Sequence, residues 1–285
     1  MSTVLIIDTY NLLHRARHTA FSGGSHGITF NFFRNIRPII EKFTPSQIFF
    51  VLEGHPKIRT EASKDYKANR PKEMNPAMIA FLREKDEIIS LLKAYFPVTV
   101  IRHPDYECDD VIANVIRYPR EAGVLDTDSD FVVASGDSDF IQLHDKHNNV
   151  RIYHPIKHEM IEKWPCDYVT WKSLKGDSTD NIDGIKGIGD KTAKKLVTQF
   201  PKIEDLRAHL DAIRHGHVEK FDHNLKMIAF HDMGRDGILS SETSVSKWNA
   251  EDARMAFALM EFKSIVNDRS WKKFSDTFAS VNCGQ

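Results

Sequence analysis

Residues 105–116 read DYECDDVIANVI and crowd three carboxylates, Glu107, Asp109 and Asp110, into four positions ahead of an apolar run. Val111, Ile112, Val115 and Ile116 recur at helical spacing, and negative charge near a helix start is favoured by the helix dipole. One capping acid would serve that purpose, whereas three so close repel one another unless water or a cation separates them. The same chemistry recurs along the chain. Asp8 closes LIID, Glu53 closes FVLE, Asp137 and Asp139 follow FVVAS, and Asp177 and Asp180 stand in GDSTDN. Any one of these acids reads equally as a cap or turn former. Together they form a donor set almost free of His and Cys, which suits a hard divalent ion, Mg²⁺ or Mn²⁺.

Other groupings carry less. DTDSD (126–130) looks like the first half of a calcium loop, with Asp137 at its twelfth position. The sixth position of such a loop must turn on glycine, and here it is Phe131, so a solvated acidic loop is the expectation. His209, His215, His217 and His223 have no cysteine partners or tight spacing and read as a polar helix surface.

Two segments have the makings of phosphate binders. GIKGIGDKTAKKL (184–196) offers Gly184, Gly187 and Gly189 for a tight turn, then a helix starting near Asp190 with Lys191, Lys194 and Lys195 beside it. Free N–H groups at such a start bind phosphate oxygens. HPKIRTEASKDYKANRPK (55–72) carries Lys57, Arg59, Lys64, Lys67, Arg70 and Lys72 against Glu61 and Asp65, with Tyr66 as a stacking face. A basic stretch is commonly a solvated surface. This one leaves the chain directly after Glu53, so it projects over the acids, where a phosphodiester would need neutralising charge.

The elements that must position these residues are legible as apolar runs. TVLII (3–7), QIFFVL (47–52), PVTVI (97–101) and FVVAS (131–135) read as buried parallel strands, separated by helical patterns at 29–43, 77–95 and 109–118. The first half is thus an α/β, doubly wound, mainly parallel sheet. In such sheets ligands gather at the carboxyl ends of the strands, where the acids stand. From about residue 165 the strand signals fade, and amphipathic stretches at 190–199, 203–214, 219–230 and 251–263 predict a helical second part. Two domains are expected, 1–164 and 165–285.

Composition excludes little: 41% hydrophobic and 28% charged residues suit a globular protein, and a formal net charge of −1 means that nucleic-acid binding must arise from local charge segregation. The N-terminus runs straight into a strand without the pattern of a signal peptide, and no stretch is apolar enough to span a bilayer. Cys108, Cys166 and Cys283 are odd in number and lack CxxC spacing, which predicts reduced thiols in a cytoplasmic protein.

YECDDVIA, SGDSDFIQL, GDSTDNIDGIKGIGDKTA and YKANR resemble, in order, the motifs of the 5′-nuclease superfamily. That superfamily includes flap endonucleases, the 5′–3′ exonuclease domain of bacterial DNA polymerase I, and short stand-alone phage enzymes, which this chain most resembles in length. The resemblance implies a PIN-like core, a helical arch at about 55–95, and a helix–three-turn–helix at about 174–200 that grips duplex DNA. It implies a first metal on Asp8, Glu53, Glu107, Asp109 and Asp137, and a second on Asp139, Asp177 and Asp180, with Asp110 on an ion or one layer behind. Lys67 and Arg70 match arch residues that contact the scissile phosphate. DNA contacts fall on Arg59, Tyr66, Gly184, Gly187, Gly189, Lys191, Thr192, Lys194 and Lys195, and the glycine turn resembles one that holds K⁺ on its carbonyls. Glu53 stands where the family has Asp, the segment from it to YKANR is about one residue shorter, and Cys108 replaces a small Ala.

The implied activity is structure-specific hydrolysis of phosphodiester bonds near 5′ ends, flaps and junctions of DNA, with two Mg²⁺ (or Mn²⁺) about 4 Å apart. The expectation is a monomer acting in DNA replication and repair, in the host cytoplasm if phage-encoded, with replication proteins as partners and no membrane association. The rival readings are a PIN-type ribonuclease that removes RNA primers and a DNA-binding factor without catalysis.

Overall fold

The computed structural model describes residues 2–20, 25–70 and 74–281, so Lys72 of the basic segment and Cys283 lie outside the described residues. The strands are β1 (Thr3–Asp8), β2 (Gln47–Val51), β3 (Thr99–Arg102), β4 (Asp130–Ala134), β5 (Val150–His154), β6 (Glu159–Ile161), the short pair β7 (Gly176–Asp177) and β8 (Ile182–Asp183), and β9 (Glu242–Val245). Helices α1 (Thr9–Thr19), α2 (Gly27–Phe43), α3 (Lys57–Ala62), α4 (Pro76–Tyr95) and α5 (Cys108–Arg117) fall between the first strands. After the sheet come α6 (Tyr168–Lys175), α7 (Asp190–Gln199), α8 (Ile203–Ile213), α9 (His217–Ile228) and α10 (Gly234–Leu239). The chain ends in α11 (Ala250–Leu259), α12 (Lys263–Val266) and α13 (Asp268–Ala279).

The main sheet runs β6-β5-β4-β1-β2-β3-β9, parallel through its five central strands with an antiparallel strand at each edge. Strand residues alternate between two apolar layers, which is why these runs carry almost no polar positions. Leu5, Ile7, Phe50, Val100 and Val132 pack toward α1, α2 and α4. Val4, Ile6, Phe49, Val51 and Val133 pack toward α5. Because β2 and β4 lie on opposite sides of β1, their loops diverge and open a crevice at the carboxyl end of β1, at Asp8.

The doubly wound reading holds, with four findings beyond the sequence signals. Helix α1 buries Leu12, Leu13 and Ala16 and begins directly at the capping Asp8. Strands β5 and β6 extend the sheet past β4. The segment 55–95 is not one projecting arch, since α4 puts Phe81, Ile88, Leu91 and Leu92 into the core, leaving residues 57–70 over the strand ends. The division at residue 164 is not a division of packing either. The chain returns so that β9 pairs with β3, and α11–α13 bury Phe257, Trp271, Phe274 and Phe278 in the core shared with α2 and α4. Among the described residues no helix is long and apolar enough to cross a membrane.

Phe96, fully buried, joins the two ends of the chain: its ring centroid lies 4.8 Å from Phe33, 4.9 Å from Phe278 and 5.3 Å from Trp248. Phe96→Ala is expected to cost about 3–5 kcal/mol of unfolding free energy through lost burial and a residual cavity. Denaturant titration should show a lower midpoint at unchanged slope. A loss below about 1 kcal/mol would contradict the joint packing.

Candidate active site

Each acid is placed by an element boundary. Asp8 ends β1 and caps α1, accepting from the Asn11 amide at 3.1 Å and from Ser135 Oγ at 2.7 Å. Glu53 follows β2 and accepts from the Cys108 amide at 3.2 Å, at the start of α5. Asp137, after β4, caps the 3₁₀ helix Ser138–Asp145 through the Asp139 amide at 2.9 Å. Asp109, in the first turn of α5, faces the same pocket as Asp137. Burial raises the proton affinity of Asp8, with the Asp137 charge adding to it. Asp109 is raised well above the carboxylate range by burial, then by Asp137, Asp8 and Glu53. Burial and the neighbouring Glu107 push Glu53 up to about 7. These carboxylates resist sharing one space as anions unless a cation joins them.

The second group adjoins the first. Carboxylate oxygens of Asp139, Asp177 and Asp180 all lie within 4.8 Å of one another. The Lys172 ammonium, reaching in from α6, hydrogen-bonds Asp139 and stands 2.6 Å from Asp177 Oδ2, while Tyr168 Oη donates to Asp139 at 3.1 Å. Burial works against the Lys172 charge, but Asp139 outweighs it and the ammonium is held above its ordinary range. Burial likewise opposes the Asp177 charge, and Lys172 more than offsets it. The all-oxygen donor set fits a hard divalent ion, and Lys172 stands in as a cation where the acids require one.

Above the acids lies the turn 63–70, with α3 before it. Lys67 N donates to Asp180 O at 3.1 Å, Asn69 Nδ2 to Ser178 O at 3.1 Å, and Asn181 Nδ2 to Asp65 O at 2.8 Å. These bonds hold Lys67 in the left-handed region, at φ 54°, which costs a non-glycine residue on the order of 1 kcal/mol. Its ammonium pairs with Glu107 and lies 3.5 Å from Asp180, and Arg70 Nη2 donates to Asp180 Oδ1 at 2.9 Å. Lys67 and Arg70 therefore line the acid pocket.

Two assignments, Arg59 and Tyr66, need correction, and a third, Asp110, narrows to the layer behind. Arg59 is only 4% exposed and cannot present itself to DNA; its guanidinium binds Asp110 through two nitrogens (2.5 and 2.9 Å) and Glu107 at 2.7 Å. Asp110, 1% exposed, spends its oxygens on Arg59 and on the His231 amide at 2.8 Å, so it faces away from the pocket. Tyr66 is buried with its hydroxyl donating to Glu107 at 2.9 Å, which removes its ring as a stacking face. Glu107 occupies the cap position of α5 yet makes no side-chain cap bond, because Arg59, Tyr66 and Lys67 take its oxygens.

The glycine turn links α6 to α7. Gly184 is a packing glycine, since a Cβ there would sit 2.1 Å from the Lys175 carbonyl oxygen. Gly187 has φ 87° with open space around it, and Gly189 heads α7 without a side-chain cap, leaving free N–H groups. Lys191, Thr192 and Lys195 are exposed around this start. Lys194 folds back along α7, 3.2 Å from Asp190 and over the Trp164 ring at 4.8 Å, in an exposed pair that a phosphate could replace.

Sequence comparison agrees with this geometry. The profile of the 5′–3′ exonuclease N-terminal resolvase-like domain matches residues 3–170, and that of the 5′–3′ exonuclease C-terminal SAM fold matches residues 163–233. The chain belongs to the 5′–3′ exonuclease family. It is 27% identical over 292 aligned residues to DNA polymerase I of Caldicellulosiruptor bescii, covering 92% of this chain and 33% of that protein. To the thermostable DNA polymerase I of Thermus aquaticus it is 26% identical, covering 76% of this chain and 26% of that one. The chain thus spans about a third to a quarter of the polymerases it matches. In fold it is similar to the bacteriophage T5 flap endonuclease, solved as a pseudo-enzyme–product complex with DNA and metal ions (TM-score 0.64, 18% identity, 98% of both chains). It is also similar to the catalytic core of Rad2 in complex with DNA substrate (TM-score 0.57, 12% identity, 93% of this chain and 91% of that one).

Within this exonuclease fold, sequence reasoning missed the pocket wall opposite Lys67. Trp164, Tyr168, Trp171 and Lys172 line it. A signal existed, since positions 168, 171, 172 and 175 share one helical face directly before GDSTDN.

The raised Glu53 has a thermodynamic consequence. Between its ordinary 4.5 and about 7, the folded protein without divalent ions binds more protons at this site than the unfolded chain does. The contribution is therefore complete below the lower value and is lost as pH rises toward 7. In chelator, the stability difference between wild type and Glu53→Gln should fall by up to about 1 kcal/mol per pH unit across that window. Denaturant titrations at several pH values test this, and a difference that grows with pH would sink it.

Proposed function

We propose that the protein is a divalent-metal-dependent, structure-specific 5′ nuclease that hydrolyses phosphodiester bonds near 5′ ends, flaps and junctions of DNA. The observation that carries the reading is the pairing of two adjoining carboxylate groups with Lys67 and Arg70 on the same pocket. Asp8, Glu53, Asp109 and Asp137 would hold one ion and Asp139, Asp177 and Asp180 a second, with Glu107 reached when Lys67 moves to substrate. Mg²⁺ is the ion we propose, with Mn²⁺ able to replace it. Such ions supply Lewis acidity toward water and the phosphate.

The chain's own residues do the rest. Lys67 and Arg70 neutralise the phosphate undergoing reaction, and no side chain need act as nucleophile. The free N–H groups at the start of α7, with Lys191, Thr192 and Lys195, grip a phosphate of the duplex without reading bases. K⁺ on the glycine turn belongs to the same proposal, supported by the open space around Gly187. We assign the protein to DNA replication and repair, acting as a monomer on DNA with a 5′ flap or free 5′ end. The metal- and DNA-bound neighbour from phage T5 supports this reading.

Asp137→Ala should abolish cleavage of a 5′-flap substrate in Mg²⁺ while duplex affinity in Ca²⁺ stays within about threefold, because the grip lies on α7. Near wild-type cleavage by that variant would refute the metal assignment.

Lys67→Ala should lower the single-turnover rate at saturating protein with little change in affinity, as expected for charge felt chiefly in the transition state. Lys195→Ala should instead weaken binding and flatten its salt dependence by about one counterion. Affinity across a salt series, beside single-turnover rates, separates them; reversed effects would overturn the placement of both elements.

A further inference from the structure

Arg59 lies at the meeting point of three elements. Its guanidinium takes Asp110 and Glu107 on α5, while Nε donates to Met227 O at 2.9 Å and Nη2 to Ala229 O at 3.1 Å. The His231 amide closes the circuit on Asp110. Residues 227–231 continue from α9, and α9 is in turn tied to the second acid group: Asn224 Nδ2 donates to Ser173 O on α6 at 2.8 Å and to Asp183 O at 2.9 Å. One buried side chain therefore connects α5, which bears Asp109 of the first acid group, to the helical unit bearing Asp177, Asp180 and the glycine turn.

We propose that Arg59 is a positioning residue that fixes the separation of the two carboxylate groups and keeps Asp110 out of the ion-binding set. It touches neither substrate nor ions and acts through Glu107, Asp110 and the 227–231 backbone. A guanidinium is required because five donors in a planar fork meet acceptors on several sides, which a lysine ammonium cannot span.

This rests on the nuclease reading and separates from it experimentally. Three quantities are measured for wild type, Arg59→Ala and Arg59→Lys: Mn²⁺ binding by calorimetry, flap-DNA affinity in Ca²⁺ across a salt series, and single-turnover cleavage in saturating Mg²⁺. Loss of the guanidinium frees two carboxylates, so Arg59→Ala should bind Mn²⁺ at least as tightly as wild type, or take up an additional ion. Its affinity for DNA should change less than about threefold and its salt slope not at all, while cleavage falls at least about thirtyfold. Arg59→Lys should fold and bind DNA like wild type yet recover less than a tenth of the lost rate, and it carries the comparison alone if Arg59→Ala does not fold. A wild-type rate in Arg59→Lys overturns the proposal. So does a flattened salt slope, which would make Arg59 a phosphate contact, or weakened Mn²⁺ binding, which would make the residue merely structural. Absence of cleavage by the wild-type chain would instead remove the nuclease reading and leave the Mn²⁺ result standing on its own.

Discussion

Like-charge repulsion governs this molecule. Two carboxylates about 4 Å apart repel by roughly 4 kcal/mol at the effective dielectric of a protein surface, and burial makes ionisation costlier still. The ends of β1, β2 and β4 and the start of α5 nevertheless deliver Asp8, Glu53, Asp137 and Asp109 to one crevice at the carboxyl edge of the sheet. Every neighbouring feature answers that excess of negative charge. Lys67 takes Glu107, Arg70 takes Asp180, Lys172 sits between Asp139 and Asp177, and Arg59 holds Asp110. A chain with a net charge of −1 is thus strongly polarised within one pocket.

The three acids of DYECDDV divide the work. Glu107 and Asp110 are engaged by the basic segment, while Asp109 between them faces the pocket and stays raised in proton affinity. Helical geometry accounts for the division, since consecutive residues point about 100° apart around the axis. Three acids in four positions therefore reach different surroundings: one toward the segment 57–70, one toward the acid pocket, one toward the end of α9. Capping, the simplest reading of the stretch, accounts for none of them.

What the sequence disclosed follows from what leaves a local imprint. Buried parallel strands read as unbroken apolar runs, so β1 to β4 and their acidic ends were legible, and so were the long amphipathic helices α2 and α4. Strands β6 and β9 are short edge elements with mixed residues such as ETSV, and nothing local separates them from loop, whereas VRIYH of β5 carries β-branched and aromatic residues that do favour a strand. The partners of Arg59 and Lys172 were illegible for a sharper reason. A cation on a polar stretch looks solvated until its partners, here 51 and 33 positions distant for Asp110 and Asp139, are brought to it by the fold. Whether Asp110 meets an ion or stands one layer behind stayed open for the same reason, its partner being invisible.

The acids and their counter-charges come from different parts of the architecture, and this constrains how the site can exist. The sheet and α5 provide the first carboxylates, whereas the cations arrive on covering elements: the segment 57–70 and helix α6. Neither has a core sufficient to stand alone. The turn 63–70 is fixed by backbone bonds to 178–181, and α6 by α9 and the cluster around Trp171 and Leu174. Removing a cation therefore exposes an anion to repulsion and also loosens the element that carried it. In the reading proposed above, a divalent ion would do the reverse, relieving the acids while freeing Lys67 and Arg70 from them. The same two side chains that neutralise carboxylates in this arrangement would then be the ones left to meet the phosphate of that proposal, which bears negative charge and offers oxygens of the same kind. Under that proposal, internal ion pairing and substrate recognition are one interaction with interchangeable anions.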